Sequence, residues 1–169
     1  MTRSAQQVAR SRVIPVGAGE AVGFAGLKWL MKIDERVSDG RFALAEFPHM
    51  PPRMLAAPLH RHHREDEYTY VLEGAVGIQL AEDVITATPG TLVLKARGQW
   101  HTFWNAGDSP CRTIEIVSPA GFENYFRELA APGGDSSRLV QLNQKYAIDM
   151  DFDSVPELCR RFGLAFPQH

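Results

Sequence analysis

Most of the chain consists of short runs in which apolar and polar residues alternate, punctuated by glycine, proline and aspartate, a pattern that predicts strands. Residues 24–33, carrying Trp29 and Leu30, read as a first strand. The turn signal Ser38, Asp39, Gly40 leads to a second at 41–47, which Pro48 ends. The proline-rich HMPPRMLAAP after it is a connection, neither helix nor central strand. Further strands are predicted at 76–80, 84–88, 91–95, 101–105 and 112–117, with tight turns between them. Many short antiparallel strands at this spacing make a sandwich or barrel. After Pro119 the period changes. Phe122, Tyr125, Phe126 and Leu129 fall at helical spacing within 121–131, where the aromatic stripe reads as packing. Two more short helices are predicted, from Ser136 or Ser137 to Tyr146 and from a Ser154 cap to Gly163. The chain therefore divides into a flexible arm (1–22), a β-barrel (23–120) and C-terminal helices packed on it (121–169).

Chemistry concentrates at residues 58–74, PLHRHHREDEYTYVLEG. His60 and His62 are two apart, so on a strand they share a face and aim at one point. With Glu67 they offer nitrogen and oxygen donors suited to a borderline divalent ion. The competing reading is a solvated turn that happens to be rich in histidine. Parity bears on the choice: an odd spacing separates His62 from Glu67, so a flat strand would put them on opposite faces. Residues 63–66 must bend the chain for Glu67 to point inward, with Thr69 and Val71 beside it and Tyr68, Tyr70 and Leu72 facing out. His63, Glu65 and Asp66 then sit on the rim, and His49 and His169 read as surface residues.

A second stretch, residues 90–105, reads GTLVLKARGQWHTFWN. The two stretches together resemble the paired motifs of the cupin superfamily. His60, His62, Glu67 and Gly74 match the first motif, and Gly90, Gly98, His101 and Asn105 match the second. Met54 and Ala96 depart from it, standing where the motifs usually have glycine and proline. The segment SPAGFENYF and the small helices around it also resemble the single-domain, quercetin-dioxygenase-like cupins. The resemblance implies an all-β fold, a double-stranded β-helix or jelly-roll barrel with short C-terminal α-helices. It also implies one divalent metal ion held by His60, His62, Glu67 and His101. That ligand set leaves coordination positions open, as a catalytic site requires. Fe(II) comes first for an oxygenase, and Mn(II), Ni(II), Co(II) and Zn(II) suit the same donors. Glu67 is either a ligand throughout or a catalytic base that takes a proton from the substrate. Pocket walls are expected from Thr69, Val71 and Phe103, from Trp100 near the mouth, and from Phe42 or Leu44; Trp104 is read as packing.

Composition narrows the partners. A net charge of −2, a pI near 6.3 and scattered arginines argue against a nucleic-acid surface, and no helix-turn-helix pattern precedes the barrel. No apolar run is long enough for a membrane span, and the basic N-terminus lacks the apolar core of a signal peptide, so a cytoplasmic location is expected. Cys111 and Cys159 have no metal-knuckle spacing; they are free thiols in a reducing compartment or a pair with one another. The expected partners are a small-molecule substrate and a second copy of the chain. The homodimer is expected through the outward Tyr68, Tyr70 and Leu72 together with Trp29. Three functions fit: a metal-dependent dioxygenase acting on a small aromatic or enolic molecule, a redox-neutral isomerase, cyclase or decarboxylase, and a non-catalytic small-molecule binder.

Overall fold

The computed structural model describes residues 13–24, 27–130 and 136–167. Among these residues, eleven strands form two antiparallel sheets. The larger sheet has the order β1 (Glu20–Phe24), β2 (Leu27–Ile33), β3 (Ala43–Met50), β10 (Cys111–Ser118), β5 (Asp66–Glu73) and β8 (Leu92–Lys95). The smaller has the order β11 (Ile148–Asp151), β4 (Leu59–His62), β9 (His101–Asn105), β6 (Val76–Leu80) and β7 (Asp83–Ala87). Phe47, Met50, Val71, Val76, Ile78 and Phe103 fill the space between the sheets. This is the all-β jelly roll expected, with α1 (Glu35–Ser38), α2 (Glu123–Leu129), α3 (Ser136–Lys145) and α4 (Ser154–Phe162) around it.

Local chemistry accounts for the tight places. Gly74 turns the chain from β5 in one sheet to β6 in the other at φ 79°, and a Cβ there would lie 2.7 Å from Cys111 Cβ. At Gly77 a Cβ would stand 2.1 Å from the Trp104 ring, so only glycine lets that indole lie across β6. Trp104 packs with Leu55 and Leu158 and stacks on Phe162 at 4.4 Å, the packing role expected of it. Asn105 is a structural residue: its Nδ2 donates to Met50 O and Ser109 O, and its Oδ1 accepts from Gly107 N. Both cysteines are free thiols.

Several boundaries differ from the pattern-based expectation. Residues 1–12 of the expected arm and His169 lie outside the described residues. The arm's last residues are already strand, because 20–24 pair with β2 in a hairpin that splits the single strand expected at 24–33. β3 runs through Pro48, which sits beside a register shift against β10, where a missing donor costs no ladder bond. Asp153, not Ser154, occupies the N-cap of α4; the Ser154 hydroxyl instead accepts from Leu59 N and donates to Asp151 O. The segment after residue 121 also contributes β11, which pairs with β4 and places Met150 opposite His60. Trp29 faces inward rather than toward a partner, 4.4 Å from the Phe47 ring and 4.8 Å from Phe126. No helix among the described residues is long and apolar enough to cross a membrane.

Candidate metal centre

The bend required by parity is present at residues 63–65, and it carries the chain from one sheet to the other. β4 places His60 and His62 on the inner face of the smaller sheet. β9 runs antiparallel beside it with His101 directly opposite His60. β5, in the larger sheet, presents Glu67, Thr69 and Val71 inward and Tyr70 outward. Gly98 N donates to His62 O, which ties the corner before β9 to the end of β4. The result is a buried group of His60, His62, Glu67 and His101 whose donor atoms all lie within 4.8 Å of one another.

The hydrogen bonds fix which nitrogen faces the centre. His60 Nδ1 donates to Pro58 O at 2.8 Å and His101 Nδ1 donates to Gln99 O at 2.9 Å, each turning an Nε2 lone pair inward. Glu67 Oε2 lies 3.1 Å from His101 Nε2 and 3.5 Å from His62 Nε2. An unprotonated nitrogen and a carboxylate oxygen this close repel unless a cation lies with them. Burial, with His101 and His62 nearby, holds His60 well below the usual imidazole range and therefore neutral. Burial alone would also lower His62, but Glu65 and Glu67 outweigh it and raise its pKa. The donors fit a divalent metal, and a proton on His62 is its competitor.

Glu65, expected on the rim, is buried instead, with Oε2 3.7 Å from His62 Nδ1. That separation is electrostatic contact without a hydrogen bond, and both atoms lack a hydrogen-bond partner. His63 and Asp66 do stand at the rim, engaged by Asp149 and Arg97 respectively. His49 is exposed.

Two charged residues that strand periodicity did not single out lie behind the centre. Lys95, directly across from Glu67 in the β5–β8 ladder, has no exposed surface. Its Nζ contacts Glu67 Oε1 at 2.8 Å and Glu115 Oε2 at 3.2 Å, and lies 4.3 Å from the Phe103 ring centre. Thr69 and Thr113 hydroxyls donate to Glu115 at 2.6 and 2.8 Å. Burial would raise the Glu67 carboxyl, but Lys95 and the histidines hold it well below the usual carboxylate range. Burial would likewise lower the Lys95 ammonium, and Glu115 and Glu67 raise it instead.

A cavity of about 140 Å³ opens onto His60, His62 and Glu67. Its walls are mainly Leu27, Trp29, Met31, Phe103, Phe122 and Phe126, with Glu115 and Glu123 as further acidic lining residues. No lysine or arginine lines it among the described residues. Of the expected walls, only Phe103 is in place. Thr69 is turned to Glu115, Val71 belongs to the core, and Trp100 lies under the Arg61 guanidinium. Phe42 precedes β3 and Leu44 faces away, since the inward residues of β3 are Ala43, Ala45 and Phe47. Two small alanines on that face leave the space that the cavity occupies. Phe122 also meets the His62 ring edge-on at 4.3 Å.

The family profile described as Cupin domain matches residues 47–117. The chain shares the double-stranded β-helix fold, and within it the buried three-histidine, one-glutamate group is a candidate metal site. KdgF from a Halomonas species superposes with a TM-score of 0.58 at 14% identity, over 68% of this chain and 98% of that one. A predicted oxalate decarboxylase of Thermotoga maritima gives 0.54 at 17% identity, covering 63% and 98%. A sugar phosphate isomerase from the cupin superfamily of Silicibacter pomeroyi gives 0.53 at 18% identity, covering 63% and 74%. At these identities the likeness is one of fold. Among curated protein sequences, none matches the chain.

His62→Ala and His101→Ala are each expected to lose most bound metal in equilibrium dialysis while keeping the β-rich circular dichroism spectrum. Glu67→Gln should lose less, and His63→Ala none. Occupancy should fall as the pH drops, because His62, whose pKa Glu65 and Glu67 raise against burial, takes up a proton that competes with the metal. Full occupancy in either histidine variant contradicts the ligand assignment.

Proposed function

We propose that this chain is a mononuclear divalent-metal enzyme, a dioxygenase acting on a small aromatic or enolic molecule with no strongly anionic group. The carrying observation is the cavity: metal donors at one end, mainly aromatic and aliphatic walls along the rest, and no lysine or arginine in its lining among the described residues. A phosphate or dicarboxylate entering it would meet Glu115 and Glu123 with no lysine or arginine to pair with. An apolar ring is instead desolvated and oriented by Phe103, Phe122 and Trp29. A metal bound by His60, His62, Glu67 and His101 supplies Lewis acidity and an open position for a substrate oxygen and dioxygen. Glu67 Oε2 faces the His101 and His62 nitrogens. A carboxylate so stabilised as the anion is first a ligand, and takes a proton only from an acidic enol or phenol.

One observation favours a second, redox-neutral reading as an isomerase, cyclase or decarboxylase. Glu115 lines the cavity, and burial, set against Lys95, leaves its pKa raised, so it can hold and return a proton. The discriminating experiment supplies metal-loaded protein with hydroxy-aromatic, flavonol and diketone substrates beside a sugar phosphate and oxalate, while an oxygen electrode records uptake. The expected result is turnover of the uncharged set with oxygen consumed mole for mole, halted under anaerobic conditions. Product formed with no oxygen consumed rejects the dioxygenase, and turnover confined to the sugar phosphate or oxalate rejects the reading of the cavity.

The homodimer is also proposed, on a shifted face. Tyr70, Leu92 and Leu94 form an exposed apolar strip on the outer side of β5 and β8, and among the described residues β8 is an unpaired sheet edge. A second copy meeting that edge through its own β8 extends the sheet symmetrically. Light scattering at micromolar concentration should give twice the chain mass, and Leu92→Glu should return it to a monomer; a monomeric parent protein rejects this.

A further inference from the structure

The geometry points to Lys95 as a positioning residue that dictates how Glu67 meets the metal: through one oxygen only. This rests on reading His60, His62, Glu67 and His101 as the metal ligands and adds a residue that is not one of them. The two carboxylate oxygens of Glu67 are already divided. Oε1 is taken by Lys95 Nζ at 2.8 Å, and Oε2 faces the His101 and His62 nitrogens at 3.1 and 3.5 Å. A carboxylate free at both oxygens can chelate a divalent ion and fill two coordination positions. Lys95 removes that option and keeps the second position for an external ligand.

The ladder makes the division rigid. Glu67 and Lys95 are direct cross-strand partners on the inner face of the sheet, as are Thr69 and Glu115. Lys95 is held from its far side by Glu115 at 3.2 Å, and Glu115 in turn by the Thr69 and Thr113 hydroxyls. A fully buried ammonium is retained only where fixed partners compensate its desolvation. The arrangement is that of an outer-sphere partner that orients a ligand, whose loss ordinarily changes metal affinity or activity by about 10–100-fold. Charge follows the same logic. With neutral histidines, Glu67, Lys95 and Glu115 sum to one negative charge, which a divalent ion turns into one positive. A single ionised substrate oxygen then brings the buried site to neutrality.

Cobalt(II) is the probe, since the intensity of its visible absorption falls as its coordination number rises. The double variant Lys95→Met/Glu115→Gln removes the buried lysine without leaving an unpaired buried charge. It should bind cobalt with visible absorption severalfold weaker than the parent protein, as Glu67 closes onto the ion with both oxygens. Glu115→Gln alone, which leaves Lys95 on Glu67, should keep the parent spectrum. An unchanged spectrum in the double variant overturns the proposal while leaving the ligand assignment intact. A parent protein that binds no cobalt overturns both. Infrared difference spectra of the parent protein, metal-loaded minus metal-free, give a test that needs no lysine variant. The carboxylate bands lost in Glu67→Gln should show the wide splitting of one-oxygen ligation, and the narrow splitting of a chelate overturns the proposal.

Discussion

A carboxylate with almost no access to water, Glu67, must be balanced by positive charge, and the interior is built around that requirement. One oxygen meets a lysine buried as deeply as itself, and the other meets imidazole nitrogens whose lone pairs have been turned toward it. The lysine supplies fixed charge; the histidines supply a place where a cation can come and go. Removing one partner of such a buried pair typically costs about 3–5 kcal/mol. A second carboxylate, itself held by two hydroxyls, and an aromatic face therefore close around Lys95. Polar and apolar parts of the barrel share one space: Phe103 is at once core, cavity wall and neighbour of the ammonium.

The fold serves that centre by crossing between sheets. β4 and β9 deliver the histidines from one sheet, and the bend after His62 hands the chain to the other sheet, where β5 returns Glu67 from the facing side. β11 seals the outer edge of β4 behind His60 and His62. Helix α2 covers the open end: Glu123 accepts from Glu35 N and Gly121 N at 2.7 and 2.6 Å, fastening it to α1, and Phe122 beside it reaches His62. The cavity is what remains between these parts, apolar because each covering element turns its hydrophobic stripe inward.

Much of this was legible from residue order because it depends on local spacing. His60 and His62 two apart, the odd interval to Glu67, and the alternation through 69 and 71 are strand arithmetic, and the bend follows from parity alone. The strands expected at 76–80 and 101–105 have those bounds to the residue. What escaped depended on pairing across the sheet. Lys95 reads along its own strand as an ordinary polar end; only the β5–β8 register sets it opposite Glu67. Glu115 is hidden in the same way by its pairing with Thr69. On β3 the walls lie one residue away from Phe42 and Leu44, because the chain turns alanines inward there and leaves room. β11 is a four-residue strand between two helices, too short for periodicity to declare it.

The central claim is that these two sheets meet to hold one divalent ion between three histidines and a glutamate. Diffraction from metal-soaked crystals, collected on both sides of the metal absorption edge, tests it directly. The account predicts a single anomalous peak per chain, bonded to the Nε2 atoms of His60, His62 and His101 and to Glu67. A peak confined to surface groups such as His63 and Asp149, with the buried cluster unchanged from its metal-free geometry, would contradict it.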